Sequence, residues 1–224
     1  MRMGKLQLAR AEHDAALSTF KDVLGARRAL YGGSHPEVAE AIHCVGVCHA
    51  KRGEMSDAMG AYKECYAKRT ALLGADHPDV GVTLNSIGAI QASAGRRDRA
   101  LSIYDDALRI KKEALGDDHI EISRTLVNQG SVLAKTGRYS EAMAKYTEAL
   151  RVRQECLGTR HPAVADVHSN IGNIHMRRCA FGEAAVRFDM ALTIYRSKLA
   201  EDHPKVTGTL RTIERVKRDE QLCV

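Results

Sequence analysis

Residues 74–80 read GADHPDV, and close variants of this phrase occur four more times in the 224-residue chain. The variants are GGSHPEV (32–38), GDDHIEI (116–122), GTRHPAV (158–164) and AEDHPKV (200–206). The histidines of successive copies are always 42 residues apart, and all four prolines of the protein directly follow one of these histidines. A fixed period of this size indicates an array of structural repeats rather than a set of separate globular domains.

The composition is typical of a helical protein without membrane-spanning segments. It is 44% hydrophobic and 28% charged, and no apolar run reaches the length of a transmembrane helix. The net charge of +6 comes from charges that are mixed along the chain, so a basic arm for nucleic acid is not indicated. Six cysteines without paired spacing favour a reducing compartment over a disulfide framework. We therefore expect a cytoplasmic protein that makes no use of a membrane.

Each 42-residue unit is predicted to be a pair of helices, called A and B here. Apolar residues recur at helical offsets of three and four in both PDVGVTLNSIGAIQASAG (78–95) and DRALSIYDDALRIKKEAL (98–115). Gly95 and Gly116 suit helix C-termini, and Pro78 suits a first helical position because its missing N–H would be unpaired there. The A helices are expected near 1–10 (incomplete), 36–52, 78–94, 120–136, 162–178 and 204–220. The B helices are expected near 12–30, 55–73, 97–115, 139–157 and 181–199.

The repeated histidine has two interpretations. It could be a metal ligand or a catalytic base, or it could be a turn residue that caps helix A or packs beneath the turn. Five copies that lie one repeat apart cannot converge on a single ion. The sequence therefore favours the structural role for the histidines, namely His35, His77, His119, His161 and His203.

Small residues recur in fixed columns of the repeat. Helix A carries Gly46, Gly88, Gly130 and Gly172, and helix B carries Ala58, Ala100, Ala142 and Ala184 twelve residues later. An aromatic column follows at Tyr62, Tyr104, Tyr146 and Phe188, and then a second small column at Cys65, Ala107, Ala149 and Ala191. A glycine inside a helix costs about 0.5–1 kcal/mol relative to alanine. Four such glycines in one column predict a close approach of helices A and B.

This small–small–aromatic–small pattern resembles the tetratricopeptide repeat, and ALLGADHPDVGVTLNSIG (71–88) is similar to the 42-residue repeat of kinesin light chains. The resemblance implies an all-α fold in which helix-turn-helix repeats form a right-handed α–α superhelix, or solenoid. The chain, 1–224, is then a single repeat array. Its parts are a partial first repeat (1–34), four full repeats (35–76, 77–118, 119–160 and 161–202) and a C-terminal capping helix (203–224).

The two ends of the array are expected to differ. The first A helix is cut short before its beginning, as in a fragment of a longer array. In contrast, TLRTIERVKRDEQ (209–221) is strongly charged, as a solvent-facing terminal helix should be.

Motifs for enzymatic chemistry are missing from the sequence. It contains no phosphate-binding G-x-x-x-x-G-K loop, no G-x-S-x-G and no H-E-x-x-H. HCVGVCH (43–49) is the one dense cluster of metal-ligand residues, but four ligands on one rigid helix cannot surround a zinc ion tetrahedrally. Cys48 also occupies a column that Ile90, Val132 and Ile174 fill elsewhere, which predicts a core position. We expect no enzymatic activity, no cofactor and no metal site.

The remaining candidate is a binding surface on the A helices, which line the concave groove of tetratricopeptide arrays. The stripe of helix A that faces away from helix B is polar, lightly charged and rich in asparagine. An asparagine side chain offers both donors and an acceptor, which suits the backbone of an extended peptide. The predicted peptide-binding residues are Asn85, Ser86, Arg124, Asn128, Ser131, Asn170 and Asn173.

We therefore predict a scaffold or adaptor module that binds a linear segment of a partner protein. Lys135 and Arg177, at the ends of their helices, favour a partner segment with acidic residues. Two alternatives stay open: an RNA-binding helical repeat, which the basic pI of about 9.0 allows, and the regulatory part of a larger signalling or enzyme protein. Nucleic acid is the less favoured partner because the stripe lacks aromatic residues for base stacking.

Overall fold

A computed structural model of the chain describes residues 1–222, and over that range the protein is entirely helical. Its eleven described helices are α1 (Arg2–Ala9), α2 (His13–Tyr31), α3 (Pro36–Lys51), α4 (Met55–Leu73), α5 (Pro78–Ser93), α6 (Arg97–Leu115), α7 (Ile120–Lys135), α8 (Tyr139–Leu157), α9 (Pro162–Arg177), α10 (Phe181–Arg196) and α11 (Pro204–Leu222). Odd-numbered helices are the A helices and even-numbered helices are the B helices. The all-helical repeat fold is confirmed. None of these helices combines the length and the apolar character that crossing a bilayer requires.

The end of helix α10 differs from the prediction. The other long B helices end at a glycine with positive φ, namely Gly32, Gly74, Gly116 and Gly158. Ala200 occupies the equivalent place in the fifth unit, and a side chain rarely adopts that backbone conformation. Helix α10 ends at Arg196 instead of the predicted residue 199, and Ser197 forms its C-cap.

The five repeated histidines are helix N-caps, which confirms the structural interpretation. In each case the ring Nδ1 accepts a hydrogen bond from the backbone N–H two residues later, at 3.1–3.2 Å. This bond satisfies one of the N–H groups that the first turn of a helix leaves without an intrahelical partner. The phrase around each histidine therefore ends one helix and begins the next.

Removal of one of these N-caps is expected to lower the stability of the protein measurably. His77→Ala should lower the free energy of unfolding by about 1 kcal/mol, because the N–H of Asp79 loses its acceptor. His77→Asn should restore most of the loss, since asparagine is among the best N-cap residues. Urea unfolding followed by circular dichroism measures both variants. Equal unfolding midpoints for the parent and His77→Ala would show that the hydrogen bond contributes nothing.

The glycine column marks the predicted close approach of helices A and B. A β-carbon built on Gly46, Gly88 or Gly130 would lie 2.6–2.7 Å from the ring of the tyrosine 16 residues later, which is far below a normal contact distance. Gly172 meets Phe188 at 3.0 Å in the same way. The structure adds one member that the sequence analysis did not assign, because Gly4 in α1 would meet Phe20 at 2.7 Å. Helix α1 is therefore the A helix of the first unit.

The turn between helices A and B also requires a left-handed residue. Gly53, Gly95 and Gly137 occupy this position with φ of 75–81°, whereas Ala11 and Cys179 adopt φ of 60° and 55° there. A residue with a β-carbon is strained in this region by roughly 1–2 kcal/mol. The turn geometry thus persists in the first and last A–B pairs even where the preferred residue is absent.

The helices group into two compact units, Met1–Gly116 and Asp117–Val224, of which the second is described to residue 222. In the first unit, separate apolar clusters form around Phe20, Cys65 and Tyr62, and each includes residues of the adjacent A helix. In the second unit, Phe188 and Tyr195 lie in one cluster with Val206, Ile213 and Val216 of α11. Helices α2, α4, α8 and α10 each pack between the A helix before and the A helix after, and α6 packs against α5.

A column of basic residues, which was not predicted from the sequence, runs along the B helices, and within each unit its arginines bind the next A helix. Its members are one repeat apart: Arg27, Arg69, Lys111 and Arg153. Arg27, Arg69 and Arg153 each donate to the backbone carbonyl of the residue ten positions later, at 2.6–2.8 Å. Only 5% of Arg69 is exposed and Lys111 is fully buried. Tyr195 takes the fifth place in the column and donates its hydroxyl hydrogen to Asp166 Oδ1 at 2.6 Å.

Candidate functional site

A cleft of about 580 Å³ lies on the A helices of the second unit. We call it the α7–α9–α11 cleft. Its polar and charged lining residues are Ser131, Lys135, Tyr146, Asn170, Asn173, Arg177, Arg215 and Asp219, and its apolar ones are Ala134, Ile174 and Met176. Residues of the A helices α7, α9 and α11 line it together with Tyr146 of α8, and α7 and α9 are in direct contact.

Three of the predicted peptide-binding residues line this cleft. Asn170 and Asn173 are three positions apart on α9, so both amides lie on the same face of the helix. Neither amide has a hydrogen-bond partner among the described residues, and both are therefore available to a ligand. The Ser131 hydroxyl is bound internally, to the Val127 carbonyl at 2.9 Å and to the Tyr146 hydroxyl at 3.0 Å.

The charge of the cleft is positive. Lys135 and Arg177 are the last residues of α7 and α9, and Arg215 projects from the middle of α11. Over residues 1–222, none of the three forms an ion pair or a hydrogen bond with another described residue. Asp219 is the single acidic residue of the lining. Three cations and one anion leave the cleft with a net charge of +2 at neutral pH.

Two predicted residues of the second unit lie outside this cleft. Arg124 forms an ion pair with Glu121 three residues earlier on α7. Asn128 is half-buried and interacts within the protein. The helical stripe places both residues one or two turns before Ser131, so they lie nearer the N-terminal end of α7 than the cleft does. Sequence periodicity predicts which face of a helix is exposed to the groove. It does not predict which turns of that face line a cleft.

In the first unit the predicted stripe is occupied by the protein itself. Asn85 is only 6% exposed, so the expectation that it faces a ligand is not met. The Ser86 hydroxyl donates to the Val82 carbonyl at 3.3 Å and lies 3.1 Å from His43 Nε2 of the neighbouring A helix. The His43 ring in turn lies 5.4 Å from the ring of Tyr62. Asn85 and Ser86 therefore have partners within the protein.

Within the HCVGVCH cluster, Cys48 lies in the core, as predicted. Cys44 and Cys48 are buried, and burial raises the pKa of each thiol to about 11. A thiol with such a pKa stays protonated at neutral pH, and it is a poor nucleophile and a poor metal ligand. His49 instead lies 2.5 Å from Glu54, and this hydrogen bond lowers the pKa of the Glu54 carboxyl.

His49, Glu54 and Asp57 bring three potential metal-ligand atoms within 4.8 Å of one another. However, Arg52 already binds the other oxygen of Glu54 at 2.9 Å. A guanidinium at this distance repels a second cation and occupies a lone pair that a metal would need. The group is therefore a local ion-pair network at the turn between α3 and α4.

A second, more apolar depression lies on the B helices α8 and α10. Val186 and Met190 are 54% and 45% exposed there. The positions equivalent to Met190 in the other units are acidic, namely Asp22, Glu64, Asp106 and Glu148. We call this surface the Met190 patch. It is an alternative place on this unit where a partner could bind.

Comparison with known proteins identifies the repeat. A family model described as tetratricopeptide repeat matches residues 37–113, 79–155 and 121–197, and successive windows begin one repeat apart. No curated protein matches the sequence. Among solved structures, BtubC (BKLC) from P. vanneervenii is similar at a TM-score of 0.78 and 21% identity, over 95% of this chain and 88% of that one.

Two further structures share the fold. A putative kinesin light chain with TPR-like repeats from Podosopora anserina has a TM-score of 0.66 at 12% identity, over 89% of this chain and 95% of that one. The apo form of RapI has a TM-score of 0.66 at 18% identity, over 93% of this chain and 55% of that one. At these identities the structural matches establish the fold alone. The family model spans most of the repeat array, and the chain therefore belongs to the tetratricopeptide repeat family.

Proposed function

We propose that this chain is a non-enzymatic interaction module, a scaffold or adaptor, which binds an extended segment of a partner protein in the α7–α9–α11 cleft. Tetratricopeptide repeats are in general protein–protein interaction scaffolds. The observation that carries the proposal for this chain is the pair of unpartnered amides, Asn170 and Asn173, in a cleft formed by three helices.

The chemistry of the cleft suits a peptide backbone. An extended segment presents N–H and C=O groups that lose water on binding and must find partners. Each asparagine amide can donate two hydrogen bonds and accept others, so two amides on one helix face can hold successive peptide groups. The apolar residues Ala134, Ile174 and Met176 add a surface for a side chain of the partner.

The charge of the cleft favours an acidic partner segment. Lys135, Arg177 and Arg215 lie at the cleft without ion-pair partners in the described chain. Complementary charges of this kind increase the association rate and the specificity more than they increase affinity.

The proposal is tested with a peptide that is selected by display against the full chain. Asn170→Ala/Asn173→Ala should weaken its binding at least about tenfold, because the truncation leaves buried peptide groups unpaired, at a cost of about 1–3 kcal/mol. The matched control is Ser140→Ala/Thr147→Ala on α8, which also replaces two polar residues by alanine on a helix surface. Isothermal titration calorimetry measures affinity, and circular dichroism checks that each variant keeps its helicity.

Two results would contradict the proposal. In the first, Met190→Glu abolishes binding while the asparagine variant binds normally, and the partner then uses the Met190 patch. In the second, the chain selects no peptide but binds single-stranded RNA with an affinity that falls steeply with salt. The RNA alternative lacks a stacking surface in the cleft, because Tyr146, its only aromatic lining residue, is 3% exposed.

A further inference from the structure

Among the basic residues of the cleft, Arg215 is specific to the second unit, whereas Lys51 of α3 occupies the same repeat column as Lys135 and Arg177. The positions one and two repeats before Arg215 hold Asn173 and Ser131, and those in the first unit hold Ala89 and Val47. A solvated helix face would tolerate polar residues in every repeat. In this column the polar and basic residues, Ser131, Asn173 and Arg215, are confined to the helices that line the cleft, and Arg215 adds a positive charge there.

Stabilisation of helix ends explains the presence of only two of the three cations. Lys135 and Arg177 end their helices, and cations at helix C-termini stabilise the negative end of the helix dipole. Arg215 lies in the middle of α11, where no such stabilisation acts, and it has no acidic partner among residues 1–222. Lys135, Arg177 and Arg215 are all exposed, and three like charges around one cleft favour the binding of an anion there.

The number of hydrogen-bond donors favours a phosphate group over a carboxylate. A phosphorylated side chain carries about −1.5 to −2 charge at pH 7 and three acceptor oxygens, which matches the net charge of +2. Arg177 and Arg215 can each donate two parallel hydrogen bonds to phosphate oxygens, and Lys135 adds a point charge. A carboxylate, with one charge and two oxygens, would leave part of this donor set unused.

We propose that the α7–α9–α11 cleft accepts a phosphoserine or phosphothreonine of the partner segment, with Arg177 and Arg215 binding the phosphate and Asn170 and Asn173 binding the flanking backbone. This inference rests on the proposed peptide-binding function. It makes recognition dependent on phosphorylation of the partner, and the phosphate and the backbone are held by different residues.

The test uses three degenerate eleven-residue peptide libraries with a fixed central residue, which is phosphoserine, serine or glutamate. Binding to the full chain is measured by fluorescence anisotropy. We expect the phosphoserine library to bind at least about tenfold more tightly than the serine library, with the glutamate library between them. Arg177→Gln/Arg215→Gln should abolish this preference and retain the weaker binding of the serine library.

The matched control is Arg178→Gln/Lys217→Gln. It removes the same net charge one residue after Arg177 and two residues after Arg215, at positions that do not line the cleft, and it should retain the preference. Asp219→Asn should act in the opposite direction and tighten phosphopeptide binding by about two- to fivefold, because it removes the only anion of the lining. A merely structural role of these residues would not produce an effect of this sign.

Each other outcome has a defined meaning. Equal binding of all three libraries, lost in Asn170→Ala/Asn173→Ala, overturns the phosphate inference and leaves the peptide-binding proposal standing. Failure of all three libraries to bind overturns both the phosphate inference and the peptide-binding proposal.

Two further results identify a different ligand. If inorganic phosphate displaces the phosphopeptide at a concentration equal to the peptide's own Kd, the ligand is free phosphate. If single-stranded RNA binds more tightly than the phosphopeptides and requires Arg177 and Arg215, the anion is a nucleic-acid backbone. Both of these results overturn the inference.

Discussion

Gly88→Leu is expected to destabilise the first unit by about 3 kcal/mol or more, and even Gly88→Ala should cost about 1–3 kcal/mol. The reason is steric. A β-carbon at Gly88 would lie 2.6 Å from Cε1 and 2.8 Å from Cδ1 of Tyr104. This ring is only 2% exposed, so it cannot move aside without displacing its neighbours. Chemical unfolding followed by circular dichroism measures the effect.

Gly60→Ala is the matched control for the glycine substitution. Gly60 also lies inside a helix, α4, but a β-carbon there meets no atom within 4 Å. This substitution should stabilise the protein by up to about 1 kcal/mol, because alanine is the better helix former. The two Gly→Ala changes are thus expected to have opposite signs. If both stabilise the protein, the aromatic ring adapts freely and the close approach of helices A and B has no energetic role.

Arg69→Met should lower the free energy of unfolding by about 2–4 kcal/mol. The guanidinium donates to the Asp79 carbonyl at 2.8 Å and to the Thr83 hydroxyl at 2.9 Å, and it lies 3.8 Å from the Asp79 carboxylate. Hydrogen bonds from charged donors contribute about 1.5–3 kcal/mol each. Methionine has a similar stem, so packing is largely retained and the loss reports mainly on these bonds.

Arg109→Met is the control for the arginine substitution. Arg109 makes ion pairs with Asp76 and Glu113, but its side chain is 52% exposed. Exposed pairs of this kind contribute about 0–1 kcal/mol, so this variant should melt close to the parent temperature. If both substitutions lowered the free energy of unfolding equally, burial of the basic column would not be the reason for its contribution to stability.

Local sequence signals determined the helices accurately. Each A helix from α3 onward begins at the residue after the repeated histidine, because the cap joins a side chain to a backbone N–H only two residues away. The glycine and aromatic columns were also readable, because a helix pair repeats the same contact at a fixed spacing. The early end of α10 was missed because Ala200 differs from the C-cap glycines by a single methyl group.

The binding cleft required the tertiary structure. Asn85, Ser86 and Asn170 lie on the same stripe of their A helices, and periodicity cannot distinguish them. In the structure Asn85 is buried and Ser86 contacts His43, whereas Asn170 keeps an unpartnered amide in the cleft. Whether a polar group has a hydrogen-bond partner depends on a residue of another repeat, about 40 residues away in the chain.

The same distinction applies to the charged residues. By itself, the sequence determined the 42-residue repeat, the helix pairs, their caps and the tetratricopeptide family, since these depend on residues within one helix or one helix pair. Only the tertiary structure decided that Arg69 and Arg153 are buried donors to the backbone and that Arg177 and Arg215 line a cleft. An arginine has the same chemistry in each case, and its role depends on whether the next repeat supplies an acceptor within about 3 Å.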